Sequence, residues 1–383
     1  MTRHVLLSRI VLIVVPTVSS SMGAPVAEPM LRHVDVFRSG VGGYDTYRIP
    51  AIETTPDGTL LAAAEARKFS GSDPGFNDND IDLVVKRSTD GGDTWSDMLV
   101  VDDPGDRWSA CNPATLVDRS SGRVWLFHCR TKPGRSSITA RAGTRDVQNW
   151  ARYSDDNGAT WSEPVDITNV ARDVEAWGCS VFGPGGPIQD RRGRLILPMS
   201  RTTGVDVDGK RRDGPWNAYT VYSDDDGATW HRGALVPDGE WSSEQQVVEL
   251  ADGSILMDMR QNEGPHRWLA TSDNGGETWS VPRPGVAVTR VACAIERYTL
   301  RSRDDDRDRI VWTGPKGPGR KELVIRTSYD EGATFTGERT ISTDLAAYSD
   351  LTVMPDGTIG VLWERGDYKA ITLSRLDRAF LEP

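Results

Sequence analysis

Several short stretches of this 383-residue chain carry residue types that could handle an anion and cleave a bond beside it. Arg48 stands in Tyr47-Arg48-Ile49-Pro50, Arg260 closes Asp258-Met259-Arg260, and Arg320 sits in Gly319-Arg320-Lys321. A guanidinium is always charged, planar, and able to grip a carboxylate with two parallel bonds. One such arginine alone, in a chain with 45 basic residues, reads as a surface ion pair. Tyr348 is a phenol, a weak nucleophile at neutral pH unless a base stands beside it. Taken singly it reads as a buried strand tyrosine, and Glu244 as a solvated loop carboxylate. Asp73, in a loop rich in Gly, Ser and Pro, could donate a proton, and Asp78, Asp80 and Asp82 follow closely. Asp78-x-Asp80-x-Asp82 has the opening spacing of a calcium loop but lacks its Gly and its distant Glu. It is read as a solvated loop running into a strand.

The elements that must position these groups show as a repeat. Ser, any, Asp, any, Gly, any, Thr, Trp occurs at Ser88 to Trp95, Ser154 to Trp161 and Ser223 to Trp230. A fourth copy, Ser272 to Trp279, has Asn274 at the Asp position, and a fifth, Ser328 to Phe335, ends in Phe. Each reads as a hairpin turn in which the Asp accepts bonds from its own backbone, the Gly supplies a positive φ, and the aromatic covers the turn. The copies lie 66, 69, 49 and 56 residues apart, compatible with four-stranded propeller blades of roughly 40–50 residues with elaborate loops. Abundant Gly (38), Pro (22) and Trp (13) fit many short strands and turns. The net charge of −11 argues against nucleic acid as a partner.

Arg3, His4 and Arg9, the apolar run Ile10 to Val15, and small residues up to Ala27 have the form of an export signal over residues 1–27. The run is too short to span a bilayer, so no membrane insertion is expected. Cys111, Cys129, Cys179 and Cys293 allow three disulfide pairings or none, and none of their spacings suits zinc.

Taken together and in order, Tyr47–Pro50, Leu60 to Arg67, Ser72-Asp73, the repeats, Glu244 to Leu250, Asp258 to Arg260, Gly319 to Leu323, Tyr348 to Leu351 and Trp363-Glu364 resemble the retaining exo-α-sialidases of bacterial type, whose repeats are called Asp boxes. The resemblance covers nearly the whole chain beyond about His33. It implies an all-β fold, a six-bladed β-propeller of four-stranded antiparallel sheets over residues 33–383. It implies Arg48, Arg260 and Arg320 as a triad for the substrate carboxylate, Tyr348 as nucleophile, Glu244 as its base and Asp73 as general acid. Arg67 would lie near the same site, and Glu364 would buttress Arg48.

The activity so implied is hydrolysis of terminal α-linked sialic acids from glycans, glycoproteins or glycolipids. It would proceed with retention, without cofactor or metal, in a secreted monomer. The rivals are a trans-sialidase using the same residues and a sialic-acid-binding propeller without turnover; the latter needs only the arginines. Trp108, Asn112 and Trp216 are candidate pocket walls, with core packing the alternative for each. One departure stands out: many bacterial members of that family carry Gly-Pro-Gly-His-Gly-Ile in the central loop, whereas Gly183-Pro184-Gly185-Gly186-Pro187-Ile188 has no His.

Overall fold

The computed structural model describes Met1 and residues 28–76, 79–206, 208–210 and 214–382. Apart from Met1, the expected export signal lies outside the described residues, as does Asp78. Leu60–Arg67 is buried along its whole length and Ile81–Ser88 along most of its own, so both lie between covering layers. Among the described residues the α-helical segments, Thr168–Ala171 and Arg378–Leu381, are single turns.

The strands pair antiparallel with their sequence neighbours. Ser242–Glu249, Ile255–Gln261, His266–Ser272 and Arg283–Ala287 form one four-stranded sheet. Cys179–Phe182, Leu195–Thr202, Asn217–Ser223 and His231–Arg232 form another, with Ile188–Gln189 also paired to Leu195–Thr202. An eight-stranded sheet starts with Thr46–Thr54, Leu60–Arg67, Ile81–Ser88 and Leu99–Asp102. It continues into Ser109–Val117, Val124–Thr131, Val147–Ser154 and Val165–Asp166, and only the parallel bridge of Ile81 to Ser109 joins its halves. A seven-stranded sheet turns on the long strand Thr336–Val353. Its first part pairs with Lys321–Ser328 and its second, from Ala346 onward, with Ile359–Arg365. Leu31–Arg38 pairs with Ala370–Leu376, joining the two ends of the described chain.

Thr46–Thr54 touches Ser109–Val117 on one side and Thr336–Val353 on the other. Ser242–Glu249 touches Ala294–Thr299, which in turn touches Thr336–Val353, so these strands surround a central axis. The apolar core lies between successive sheets: Phe37, Leu362 and Leu373 pack on Tyr47, Leu60 and Val84, and Val248, Leu256 and Leu269 on Ile295, Ile310 and Trp312.

The five repeats are the hairpin turns expected. In the first, Asp90 accepts from the Ser88 hydroxyl at 2.7 Å, the Thr94 amide at 2.9 Å and the Thr94 hydroxyl at 2.5 Å. The other Asp copies repeat the pattern, and Asn274 keeps it by donating to the Thr278 hydroxyl at 2.9 Å. Bonds from Thr94 and Ser88 hold the Asp90 carboxyl down at about 2. Gly92, at φ +92°, lies so close to the Leu373 side chain of the adjoining sheet that a Cβ would overlap it. The turns pack on the adjoining sheet through their glycines, while their Asp side chains are engaged in closing the turns themselves.

Candidate active site

Four strands around the axis break register where they present a polar group. The shifts fall between Arg48 and Ala51, Cys111 and Ala114, Ser243 and Gln245, and Ala346 and Ser349. Such bulges re-aim side chains that regular pleating would send elsewhere. Three of them hold a non-glycine residue at positive φ: Ile49 at 57°, Asn112 at 55° and Glu244 at 41°. Each costs about 1–3 kcal/mol and must be fixed by its surroundings. The amide of Ile49 donates to Glu364 at 2.9 Å and that of Asn112 to Glu65 at 2.9 Å.

The re-aimed groups converge. Arg48 donates through Nε to Glu364 at 2.6 Å and through a terminal nitrogen at 3.2 Å, and Glu364 also accepts the Tyr348 amide at 3.1 Å. The Tyr348 hydroxyl donates to Glu244 and accepts from Arg260 at 2.8 Å, and the same Arg260 nitrogen donates to Glu244. The Arg48 and Arg320 guanidinium carbons each lie 5.3 Å from the Tyr348 ring centroid. Asp73, its side chain 66% exposed, accepts from Arg67 at 3.1 Å and lies 3.7 Å from Arg48. A pocket of about 230 Å3 opens over this cluster, lined among others by Arg67, Asp73, Glu244, Arg260 and Tyr348.

All eight residues singled out from the sequence thus meet at one place. Arg320 arrives least directly: it borders an adjoining hollow together with Tyr368 and Glu364. Of the wall candidates, Asn112 and Trp216 line the pocket, while the Trp108 carbonyl accepts the Ile81 amide at 3.3 Å. The His-less central loop packs deeper: the Gln246 amide donates to the Pro184 carbonyl at 2.9 Å and to Asp350 at 2.8 Å. At Gly186, with φ +65°, a Cβ would overlap the Gln246 side chain.

Two participants carried no assignment in the sequence reading. Glu65 accepts both Arg67 Nε at 3.0 Å and a terminal nitrogen at 2.6 Å, with no exposure of its own. Its signal was present, an acid in an apolar strand two residues before an arginine, hence on the same face. Tyr368 accepts from Arg320 at 2.7 Å and lies with its ring 4.2 Å from the Arg48 guanidinium carbon. Nothing in its spacing points to either contact.

The charges support one another. Burial works against the charge of Arg48, but the Glu364 carboxylate outweighs it and raises the pKa; Glu244 does the same for Arg260. Burial, then the Glu244 charge, pushes the Tyr348 hydroxyl well above the usual phenol value, against the pull of Arg260 and Arg48. The phenol is therefore protonated at rest, with a carboxylate in position to take its proton. Among the described residues, one carboxylate group has metal-ligating spacing: Asp80, Asp82 and Asp103. The Lys68 ammonium stands among them, at 2.7, 3.0 and 3.7 Å, and already supplies the cation. The four cysteines are buried free thiols.

A ring of antiparallel sheets fastened by repeated Asp-box turns and presenting this cluster defines the class: the model of the BNR repeat-like domain matches residues 58–361, and the chain belongs to that family. Its relatives include the sialidase of Micromonospora viridifaciens, 31% identical over 90% of this chain and 54% of that protein. The sialidase of Bacteroides fragilis is 29% identical over 86% of this chain and 62% of that one. Among solved structures, the Hadza microbial sialidase Hz136 superposes with a TM-score of 0.80 at 26% identity, over 91% of this chain and 68% of that one. The chain thus spans between half and two thirds of the length of these two sialidases.

Proposed function

We propose that this chain is an exo-α-sialidase, hydrolysing terminal α-linked sialic acids with retention through a covalent sialyl-tyrosine. The observation that carries this is the Tyr348 hydroxyl held between Glu244 and Arg260, on a residue whose own amide shares Glu364 with Arg48. Sialic acid bears its carboxylate on the anomeric carbon. A carboxylate nucleophile would be forced against that charge, whereas a neutral phenol is not, and sialidases are known for a tyrosine in this role. Arg48, Arg260 and Arg320 would hold the carboxylate. Tyr348 would attack the anomeric carbon as Glu244 accepts its proton, and Asp73 would protonate the departing glycosidic oxygen. In the second step Asp73 would take a proton from water, the resulting hydroxide would displace the tyrosine, and Glu244 would return the proton to Tyr348.

The scaffold for this reading is a six-bladed propeller. The eight-stranded sheet supplies two blades about its single parallel bridge, and the two smaller sheets one each. The seven-stranded sheet supplies two that share Thr336–Val353. Export, which the basic and apolar start in residues 1–27 supports, belongs to the same proposal. No helix among the described residues is long and apolar enough to cross a membrane. The test is release of fluorophore from an aryl α-sialoside, with NMR of the first-formed product. The α-anomer of free sialic acid is expected. The β-anomer would reject retention, an anhydro or transferred sugar would favour the trans-sialidase, and binding without release would favour the non-catalytic module.

A further inference from the structure

The three arginines read as the carboxylate site are anchored unequally. Arg48 is fixed by Glu364 and Arg260 by Glu244, so each brings its own counter-charge. Arg67 beside them is matched by Glu65 and Asp73. Arg320 has no acidic partner within ion-pair distance among the described residues; its anchor is the Tyr368 hydroxyl at 2.7 Å. The ring of the same tyrosine faces the Arg48 guanidinium at 4.2 Å. Tyr368 follows Asp367 in a tight turn where both residues have positive φ, 57° and 63°, beyond the strand that ends at Arg365. It thus touches two of the three cations.

We infer that Tyr368 is a positioning residue that orients Arg320 without neutralising it, leaving Arg320 as the uncompensated charge that captures the substrate's anion. The inference rests on the reading of Arg48, Arg260 and Arg320 as a carboxylate site. A carboxylate at position 368 would fix Arg320 as firmly and cancel its charge; a hydroxyl fixes it and leaves the charge for the ligand, while the ring stacks on Arg48. Tyr368→Phe keeps the ring and loses the bond, and Tyr368→Glu puts a negative charge beside Arg320. The full chain and both variants are compared for kcat and KM on an aryl sialoside, for calorimetric binding of free sialic acid, and for thermal midpoint. Tyr368→Phe is expected to weaken binding and raise KM about tenfold, the worth of one bond to a charged group, with a much smaller change in kcat. Tyr368→Glu is expected to weaken binding further at a similar midpoint. Glu binding as well as Phe, or losses that simply follow a lowered midpoint, would overturn the inference while leaving the site reading intact. A wild-type chain that neither binds sialic acid nor cleaves the sialoside would overturn that reading and this inference with it.

Discussion

Tyr348 is poised by opposed forces: burial and Glu244 keep its proton on, while Arg260 and Arg48 favour the phenolate. On the proposed mechanism, attack by Tyr348 would be concerted with proton loss to Glu244. If so, a 3-fluorosialosyl fluoride should leave a stable adduct on Tyr348, because the fluorine at C3 slows both steps and the good leaving group restores the first. Peptide mapping that finds the label elsewhere would remove Tyr348 from this role. Asp73 makes a different demand. Sialyllactose, with a poor leaving group, needs a proton in the first step, whereas an acidic phenol hardly does. Asp73→Ala should lose far more activity on sialyllactose than on an aryl sialoside. Asp80→Ala should show no such selectivity, since Asp80 is bonded to Lys68 at 2.7 Å. Equal losses on both substrates in the Asp73 variant would place the acid elsewhere. At this scale the sequence was legible where a residue's place in the cluster is carried by a short motif, as at Arg48 or Tyr348. Glu65 was legible in principle from its strand face. Tyr368 was not, because its contact with Arg320 crosses 48 residues of chain between two separately paired turns.

The strands that carry these residues owe their usefulness to irregularity. Arg48, Asn112, Glu244 and Tyr348 each sit at or beside a register shift. Glu244 depends on a close neighbour: Gly183, whose Cβ, if it had one, would overlap the Gln245 carbonyl. Gly183→Ala should push that bulge, costing about 1–3 kcal/mol as overpacking does. It should also lower kcat/KM as Glu244 moves off Tyr348. The urea midpoint and the kinetics check this together, and an unchanged midpoint would show that the bulge yields without cost. The Asp boxes could be read in advance because all their bonds are local, from Ser88 to Thr94 and its equivalents. The bulges could not, because a bulge is a property of two strands: one extra residue on the inner strand is visible only once its partner's register is known.

The chain as a whole is acidic, with a net charge of −11, although the candidate site is rich in arginine, and Glu53 and Glu296 line a separate hollow. Burial raises Glu53 to about 8, Glu296 to about 7 and Asp350 to about 7; Glu296 adds to the effect on Glu53, and Arg119 opposes it. Their folded pKa values exceed the unfolded ones, so the native state holds protons that the unfolded chain has released. That stability is full below about pH 4 and is lost as pH rises through 7 to 8. The thermal midpoint of Glu53→Gln should therefore fall less between pH 5 and 8 than that of the wild type, measured in parallel melts; parallel curves would exclude Glu53 as a contributor. The fold class was legible from five local turns, while the raised carboxyl pKa values were not, since they depend on residues brought together from distant strands. The ring of sheets closes through Leu31 against Leu376, at opposite ends of the described chain. During synthesis the strand Leu31–Arg38 must wait without this partner until Ala370–Leu376 has been made, and loop-closure entropy makes so long-range a pairing slow. A circular permutant linking Leu376 to Leu31 and opened at an exposed Asp-box turn would turn this pairing into a hairpin. It should refold faster while enclosing the same site.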